Sequence, residues 1–288
     1  MNLPSFAKIN FGLEVLRKRK DGFHEIRTLF QAIDLHDILT FRSHSGDAVN
    51  LAGDDERIPW DETNLVHRAA SLMKKECRVS EGVEIRVQKR VPFGKGLGGG
   101  SSNAAVTLYA LNRLWGMGLA KEELMILGAR LGSDVPYFLE GGLCLGLGRG
   151  EKISPLEDLP RKYFVLVLPE LAIMTAAVYG CFRSSLTSKN KDSKINRFLN
   201  IRKFHVLEND LEETVFQLYP QIKAIKDQLR NLGSELSLVS GTGSAVFGLF
   251  SDQNRARRAF KGLKQEHPSL LVETVSREQY WNSLSAGV

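Results

Sequence analysis

The chain has 288 residues, enough for two domains of ordinary size. Hydrophobic residues make up 43% and charged residues 25%, a globular composition that excludes disorder, collagen and coiled coil; no apolar run is long enough to span a bilayer. The net charge of +6 favours an acidic partner, polymer or small molecule, and the spacing of Cys77, Cys144 and Cys181 excludes a disulfide framework and a structural zinc site.

The first ten residues show no charged leader ahead of an apolar core, so neither a signal nor a transit peptide is expected, and the cytoplasm is the expected location. From 6 to 16 the pattern alternates. Ala7, Ile9, Phe11, Leu13 and Val15 fall on one face and Lys8, Asn10, Gly12 and Glu14 on the other, which predicts a half-buried strand. The basic turn Arg17-Lys18-Arg19-Lys20-Asp21-Gly22 leads into a second strand from His24 to Ile33. Asp37 to Phe41 and Asp47 to Gly53 read as further strands, Pro59-Trp60 breaks the pattern, and Asn64 to Cys77 reads as a helix. Val83 to Val91 is strand-like. After a glycine-rich run, Ala104, Leu108, Leu111 and Trp115 form the stripe of an amphipathic helix from Ser101. Lys121 to Gly132 predicts another helix, Ser133 to Pro136 a loop turning into a short helix or strand, and the stretch to about Ile153 a Gly-rich strand pair.

The polar, proline-flanked segment Pro155 to Pro160 marks a domain boundary, giving units 1–155 and 156–288. Beyond it come a strand (Tyr163 to Leu168), several helices between Thr175 and Leu232, a strand (Leu236 to Ser240), the turn Gly241-Thr242-Gly243, a strand (Ala245 to Phe250), a helix from Asp252 and a strand near Leu270 to Val275. This order predicts an α+β layer with helices on one face of a mixed sheet.

The segment Pro92 to Asn103 puts five glycines into seven residues between a strand and a helix. Glycine admits positive φ and lets the backbone approach a ligand closely, at an ordering cost that a plain turn would not need to incur five times. A helix starting after such a loop offers free N–H groups and the positive end of its dipole, an anion cradle. Ser101 and Ser102 are placed to cap that helix and to offer hydroxyls to phosphate or Mg²⁺. Gly94, Gly96 and Gly99 satisfy the dinucleotide spacing, but the chain then enters a second helix where that motif requires a strand ending in an acid. A P-loop would end in Gly-Lys-Ser/Thr, whereas Lys95 lies among the glycines. A nucleoside-triphosphate loop of another type is the reading that remains.

Gly96-Leu97-Gly98-Gly99-Gly100-Ser101-Ser102-Asn103, after a loop begun by proline, resembles the phosphate motif of the GHMP small-molecule kinases. Ser5 to Leu13, Arg19 to His24, Ser133 to Phe138 and Ser240 to Phe247 carry the same resemblance, in order, over nearly the whole chain. It implies an α+β fold of two domains: an ATP-binding domain like domain 2 of ribosomal protein S5, with a left-handed βαβ crossover, and a ferredoxin-like C-terminal domain. It further implies ATP as donor, with Mg²⁺. Within the family the likeness is to the branch that phosphorylates the 2-hydroxyl of a cytidine-diphosphate-linked methylerythritol in non-mevalonate isoprenoid synthesis.

On this resemblance ATP is held by Pro92, Phe93, Gly94, Lys95, Gly96, Leu97, Gly98, Gly99, Gly100, Ser101 and Ser102, with Asn64 on the nucleotide side. Lys8 stands near the acceptor hydroxyl and Asp134 acts as base. Asn10, Phe23, His24, Tyr179, Thr242 and Gly243 hold the acceptor, Phe23 and Tyr179 as stacking faces and His24 at the edge of the cytosine. No protein metal ligand is assigned beyond the Ser102 hydroxyl, since Mg²⁺ arrives with ATP. The partner is then a small molecule, with no nucleic acid and no membrane, and the protein is a monomer or homodimer.

Without the resemblance each residue has a plainer reading: Lys8 a solvated strand lysine, Asp134 and Asn64 helix caps, His24 a surface residue, and the Gly-Thr-Gly turn a hairpin. Lys95 either adds a cation near the phosphates or points to solvent. The competing functions are a homoserine- or mevalonate-type kinase of the same family and a basic S5-like nucleic-acid-binding protein; scattered rather than clustered charge weighs against the last.

Overall fold

A computed structural model describes residues 1–182 and 193–287; residues 183–192, part of the stretch expected to hold several helices, lie outside it. The alternating N-terminal pattern forms β1 (Asn2–Lys18), antiparallel to β2 (His24–His44) along its whole length. The strand expected at 37–41 is a continuation of β2. Register shifts at Phe6/Ala7, Asn10/Gly12 and Val15/Arg17 accommodate the twist that so long a pair accumulates. The other edge of β2 is shared. Residues 38–44 pair with β4 (Gly82–Gln88) and residues 26–31 with β5 (Leu143–Gly148), which β6 (Lys152–Pro155) extends. β3 (Val49–Gly53) lies parallel to β4, a pairing that needs a crossover, and α1 (Leu65–Cys77) supplies it.

α1, α2 (Gly99–Leu114), α3 (Lys121–Leu131) and the single turn α4 (Val135–Phe138) close one side of this sheet. The predicted stripe of α2, Ala104, Leu108 and Leu111, packs fully buried with Met73, Phe41 and Ile85.

The second sheet has the order β10-β7-β9-β8, from β7 (Tyr163–Val167), β8 (Leu236–Val239), β9 (Val246–Phe250) and β10 (Ser269–Glu273). The expected mixed sheet is in fact antiparallel throughout. Each helical crossover joins strands that are not neighbours: β9 inserts between β7 and β8, and β7 between β9 and β10. This is the β-α-β-β-α-β arrangement of ferredoxin-like units. The helices are α5 (Thr175–Cys181), α6 (Lys194–Ile201), α7 (Glu212–Leu218), α8 (Pro220–Asn231) and α9 (Gln253–Leu263).

The two sheets share a core. Ala7, Ile9 and Phe11 of β1 meet Phe164, Leu166, Phe247 and Leu249 of the second sheet. Phe11 stacks on Phe247 at 5.9 Å and 11°, and meets Phe164 edge-on at 5.8 Å. Full burial of one such ring stabilises by about 1.5–3 kcal/mol. β1 is therefore covered on both faces, where a half-buried strand is expected from its pattern; its polar face turns into a cleft rather than to solvent.

A helix not expected from the sequence pattern ends the described chain, α10 (Arg277–Ala286), opened by a capping box between Ser276 and Gln279. It packs on the first unit, Tyr280 and Leu284 joining Leu3 and Phe6 in one cluster. There it clamps the end of α4 and the segment after it: the Tyr280 hydroxyl donates to Phe138 O at 2.7 Å, the Trp281 indole to Glu140 O at 2.9 Å, and Arg277 Nε pairs with Glu140 at 3.0 Å. No helix among the described residues is long and apolar enough to cross a membrane. Tyr280→Phe leaves the buried Phe138 carbonyl without its hydroxyl donor, and is expected to destabilise the fold by about 1–3 kcal/mol in urea unfolding, with an unchanged m-value.

Candidate active site

The first cavity forms where β4 gives out. Asp37, fully buried in β2, accepts from the backbone N–H of Arg90 at 2.7 Å and Val91 at 2.8 Å and from Asn103 Nδ2 at 2.9 Å, and it pairs with Lys89. One carboxylate thus ties the start of the glycine loop to the N-terminal part of α2. Nothing local marks Asp37 in the sequence, because it sits inside a strand-like run and its partners are 52 to 66 residues away.

Gly96 and Gly98 show why the loop needs glycine. Both have positive φ, 77° and 71°. A Cβ on Gly96 would lie 2.2 Å from Ser240 O, and one on Gly98 would lie 2.7 Å from the Phe138 ring. Gly98 is also the N-cap of α2, without any side-chain cap. The expected capping by Ser101 or Ser102 does not occur, because the helix begins two residues earlier and both serines fall in its first turn. Gly99, Gly100 and Ser101 are left with amides that have no intrahelical acceptor, at the positive end of the dipole. Ser102 is fully buried, its Oγ accepting from Ser5 Oγ at 2.7 Å, and does not line the cavity.

Pro92 to Ser101 floor a cavity of about 360 Å³ whose other walls include Ile58, Trp60 and Leu65, with Phe93 at its lip. Apolar walls over a floor of free amides suit a base and its phosphates. Trp60 gave no sign of this role in the sequence, because beside Pro59 it resembles a mere breaker. Asn64 also faces this cavity, but its amide is committed locally: Oδ1 caps Val66 N at 2.9 Å and Nδ2 donates to Pro59 O at 2.8 Å. Lys95 turns its ammonium to Pro169 O at 2.5 Å and Leu171 O at 2.8 Å. Burial, and then the charge of Arg57, hold it below the ordinary lysine pKa.

Gly96 and Gly98 also line a second cavity of about 630 Å³. The glycine loop is the partition between the two. Lys8 stands at the second cavity, 4% exposed. Its ammonium donates to Asn10 Oδ1 at 2.5 Å, pairs with Asp134 Oδ2 at 3.2 Å and lies 5.3 Å from the centre of the Phe30 ring. Asn10 is held in turn by Thr28 Oγ1 at 2.9 Å. Asp134 occupies the N-cap position of α4 yet makes no capping bond; its carboxylate reaches across to Lys8 and stays about a third exposed, at 31%.

Phe23, His24, Tyr179, Gly241 and Thr242 face the same cavity, as do Lys18, Arg149 and Thr175, which sequence reasoning did not place there. His24 stacks on Tyr179 with ring centroids 5.1 Å apart at 26°. The Arg149 guanidinium lies 4.8 Å over the otherwise exposed Phe23 ring. Arg149 follows Gly148 in a tight turn between β5 and β6, so spacing alone gave no sign of it. Burial, and secondarily the charge of Lys18, lower the His24 pKa, so the ring is neutral at pH 7 and offers one donor and one acceptor. Burial, with the nearby Asp134 charge second, raises that of Tyr179, which stays a phenol.

In the Gly-Thr-Gly turn it is Gly241, rather than Gly243, that reaches the cavity. The turn is braced from below: Asn209 Nδ2 donates to Gly241 O at 2.7 Å, and Glu212, buried and paired with Lys226 at 2.5 Å, accepts from Val239 N at 2.9 Å. Among the described residues no three His, Cys, Asp or Glu side chains are grouped to hold a metal ion. The whole is a carboxylate and a buried ammonium on one side of a thin backbone wall, with an anion cradle on the other.

Family models agree with this layout. That of the GHMP kinases N terminal domain matches residues 64–142 and that of the GHMP kinases C terminal matches residues 194–269. The chain is 38% identical over 263 residues to a 4-diphosphocytidyl-2-C-methyl-D-erythritol kinase of Bacillus cereus (strain B4264), covering 90% of this chain and 91% of that protein. It is 38% identical over 288 residues to the protein of the same name in Caldicellulosiruptor saccharolyticus, covering 98% and 99%. A crystal structure of 4-(cytidine 5'-diphospho)-2C-methyl-D-erythritol kinase superposes with a TM-score of 0.83 at 35% identity, over 95% of this chain and 99% of that one. A homoserine kinase from Cytophaga hutchinsonii, at 20% identity and a TM-score of 0.71 over 96% and 95%, shares the fold.

Proposed function

The chain belongs to the GHMP kinases, and from that premise we propose that it transfers the terminal phosphoryl group of ATP to the 2-hydroxyl of 4-diphosphocytidyl-2-C-methyl-D-erythritol, in the non-mevalonate route to isoprenoid precursors. The names of its relatives support this acceptor. The observation that carries the chemistry is the Lys8–Asp134 pair, 3.2 Å apart, facing the acceptor cavity beside the glycine partition.

Phosphoryl transfer asks the protein mainly for positioning and charge neutralisation. On this reading the cavity beneath Trp60 and Phe93 takes the adenosine, and the amides of Gly99, Gly100 and Ser101 take the phosphates. The cytidine end lies among Phe23, His24, Tyr179 and Arg149, with Thr242 and Asn10 toward the reacting end. The acceptor hydroxyl gives its proton to Asp134 while its oxygen attacks the γ-phosphorus and the bond to the bridging oxygen of ADP breaks. Lys8, oriented by Asn10, faces the place where charge passes from donor to acceptor. When bound with ATP, Mg²⁺ would supply charge neutralisation at the phosphates, and Ser101, rather than the buried Ser102, is the hydroxyl that would face it. Residues 1–155 form the ATP-binding domain and 156–288 the C-terminal domain, with α10 crossing back. The enzyme works in the cytoplasm, as a monomer or homodimer, on a small molecule and not on nucleic acid.

With purified protein, ATP and a panel of acceptors, the cytidylyl methylerythritol is expected to be phosphorylated; turnover of mevalonate or homoserine in its place overturns the reading. Asp134→Ala is expected to lower kcat by about 10²–10⁴-fold with nucleotide affinity retained, and near wild-type turnover refutes the role. Because the His24 pKa is lowered from 6.5, the ring gains its second proton, and loses its acceptor nitrogen, only below that value. The acceptor KM should therefore be flat from neutral pH upward and rise in acid. His24→Ala should raise KM throughout and abolish the acid rise.

A further inference from the structure

Lys95 is the charged residue of the glycine loop; it borders the donor cavity, but its ammonium turns away to the second unit. Two of its three ammonium donors are spent on the carbonyls of Pro169 and Leu171, just beyond β7 in the second unit. The same seam carries backbone bonds. Ala245 N donates to Lys95 O at 3.2 Å, and Ser240 Oγ donates to Gly96 O at 2.9 Å. Leu171 O is shared, since Ser244 Oγ also donates to it at 2.7 Å. The loop, the Gly-Thr-Gly turn and the 169–171 segment thus meet at one point, and Lys95 is the only charged side chain in these bonds.

Leu171 stands close to the acceptor site along the chain. Four residues on, α5 begins at Thr175, and it carries Tyr179 as a wall of the acceptor cavity. Within α5 only Val178 is fully buried, with Tyr179 packed at the edge of the same cluster, so the helix has few apolar contacts of its own, a condition that favours local opening. Its position depends on how its root is held. Thr175 Oγ1 against Thr242 Oγ1 at 3.1 Å provides one tie, and the Lys95 ammonium at Pro169 and Leu171 provides another.

We propose that Lys95 is a positioning residue that couples the two cavities: its ammonium straps the glycine loop to the root of α5, so that nucleotide ordering the loop also orders the helix that walls the acceptor. This deepens the proposed kinase reading and rests on its assignment of the nucleotide to the glycine loop, but it does not depend on the identity of the acceptor. A ligand that rigidifies one element lowers the cost of ordering another tied to it.

The test is amide hydrogen exchange on the full chain with a non-hydrolysable ATP analogue and Mg²⁺, without acceptor, for the wild type, Lys95→Met and Lys95→Arg. In the wild type the analogue is expected to slow exchange both in 92–102 and in 170–181, the latter by about five-fold or more. Lys95→Met should keep the slowing in 92–102 and lose it in 170–181. Lys95→Arg, whose guanidinium can still donate to the two carbonyls, should keep both. Equal protection of 170–181 in the Met variant overturns the strap, as does a wild type protected in 92–102 alone. Faster exchange in 170–181 on binding also overturns it, since the ammonium would then have left the carbonyls for the phosphates. A wild type unprotected even in 92–102 contradicts the nucleotide assignment as well, which separates the failure of the premise from the failure of the coupling.

Discussion

A lysine ammonium removed from water costs several kcal/mol unless its partners are in place, and Lys8 is 4% exposed. Three elements of the cleft contribute to holding it. β1 supplies Asn10 two residues on, α4 presents Asp134, and β2 places Phe30 under the charge. The backbone N–H of Lys8 donates to Leu97 O at 3.0 Å, so the same residue pins the glycine loop. A Cβ on Gly98 would come within 3.1 Å of Lys8 Cε. The position of this one side chain therefore requires β1 in register, the loop without side chains at its crossing, and α4 seated against α10.

The glycine partition is a consequence of that requirement. A wall between a donor and an acceptor site has to be thin enough for transfer and yet packed on both faces. Backbone alone achieves this when Ser240 O lies against Gly96 and the Phe138 ring against Gly98. The second unit takes part directly, through Ser240, Ser244 and Gly241, and the shared core of Phe11, Phe164 and Phe247 keeps the two sheets from sliding. The second cavity is thus built by both halves of the chain.

Much of this was legible in the sequence. The glycine loop stands out because positive φ and close approach leave a mark in composition, and Lys8 and Asn10 share a face by simple alternation. Their burial was not legible, because a period-two pattern does not say what covers the polar face; here a second sheet and the glycine loop do. The merging of 37–41 into β2, and the insertion of β9 between β7 and β8, are decided by long-range pairing. Asp37 and Arg149 act through partners or folds remote in sequence. α10 was the avoidable miss, since Ser276 and Gln279 form a capping box readable at that spacing. The acceptor itself came from resemblance, because no single residue around the second cavity specifies a cytidine.

In the proposed mechanism Lys8 and Asp134 act as one unit on the transferring phosphoryl group. A double-mutant cycle on kcat, with Lys8→Met, Asp134→Asn and the pair together, measures this directly. Residues that act as a unit give non-additive losses, so the double variant should be little worse than the more damaged single one. Losses that multiply would mean that the two side chains act independently, and would contradict their joint role.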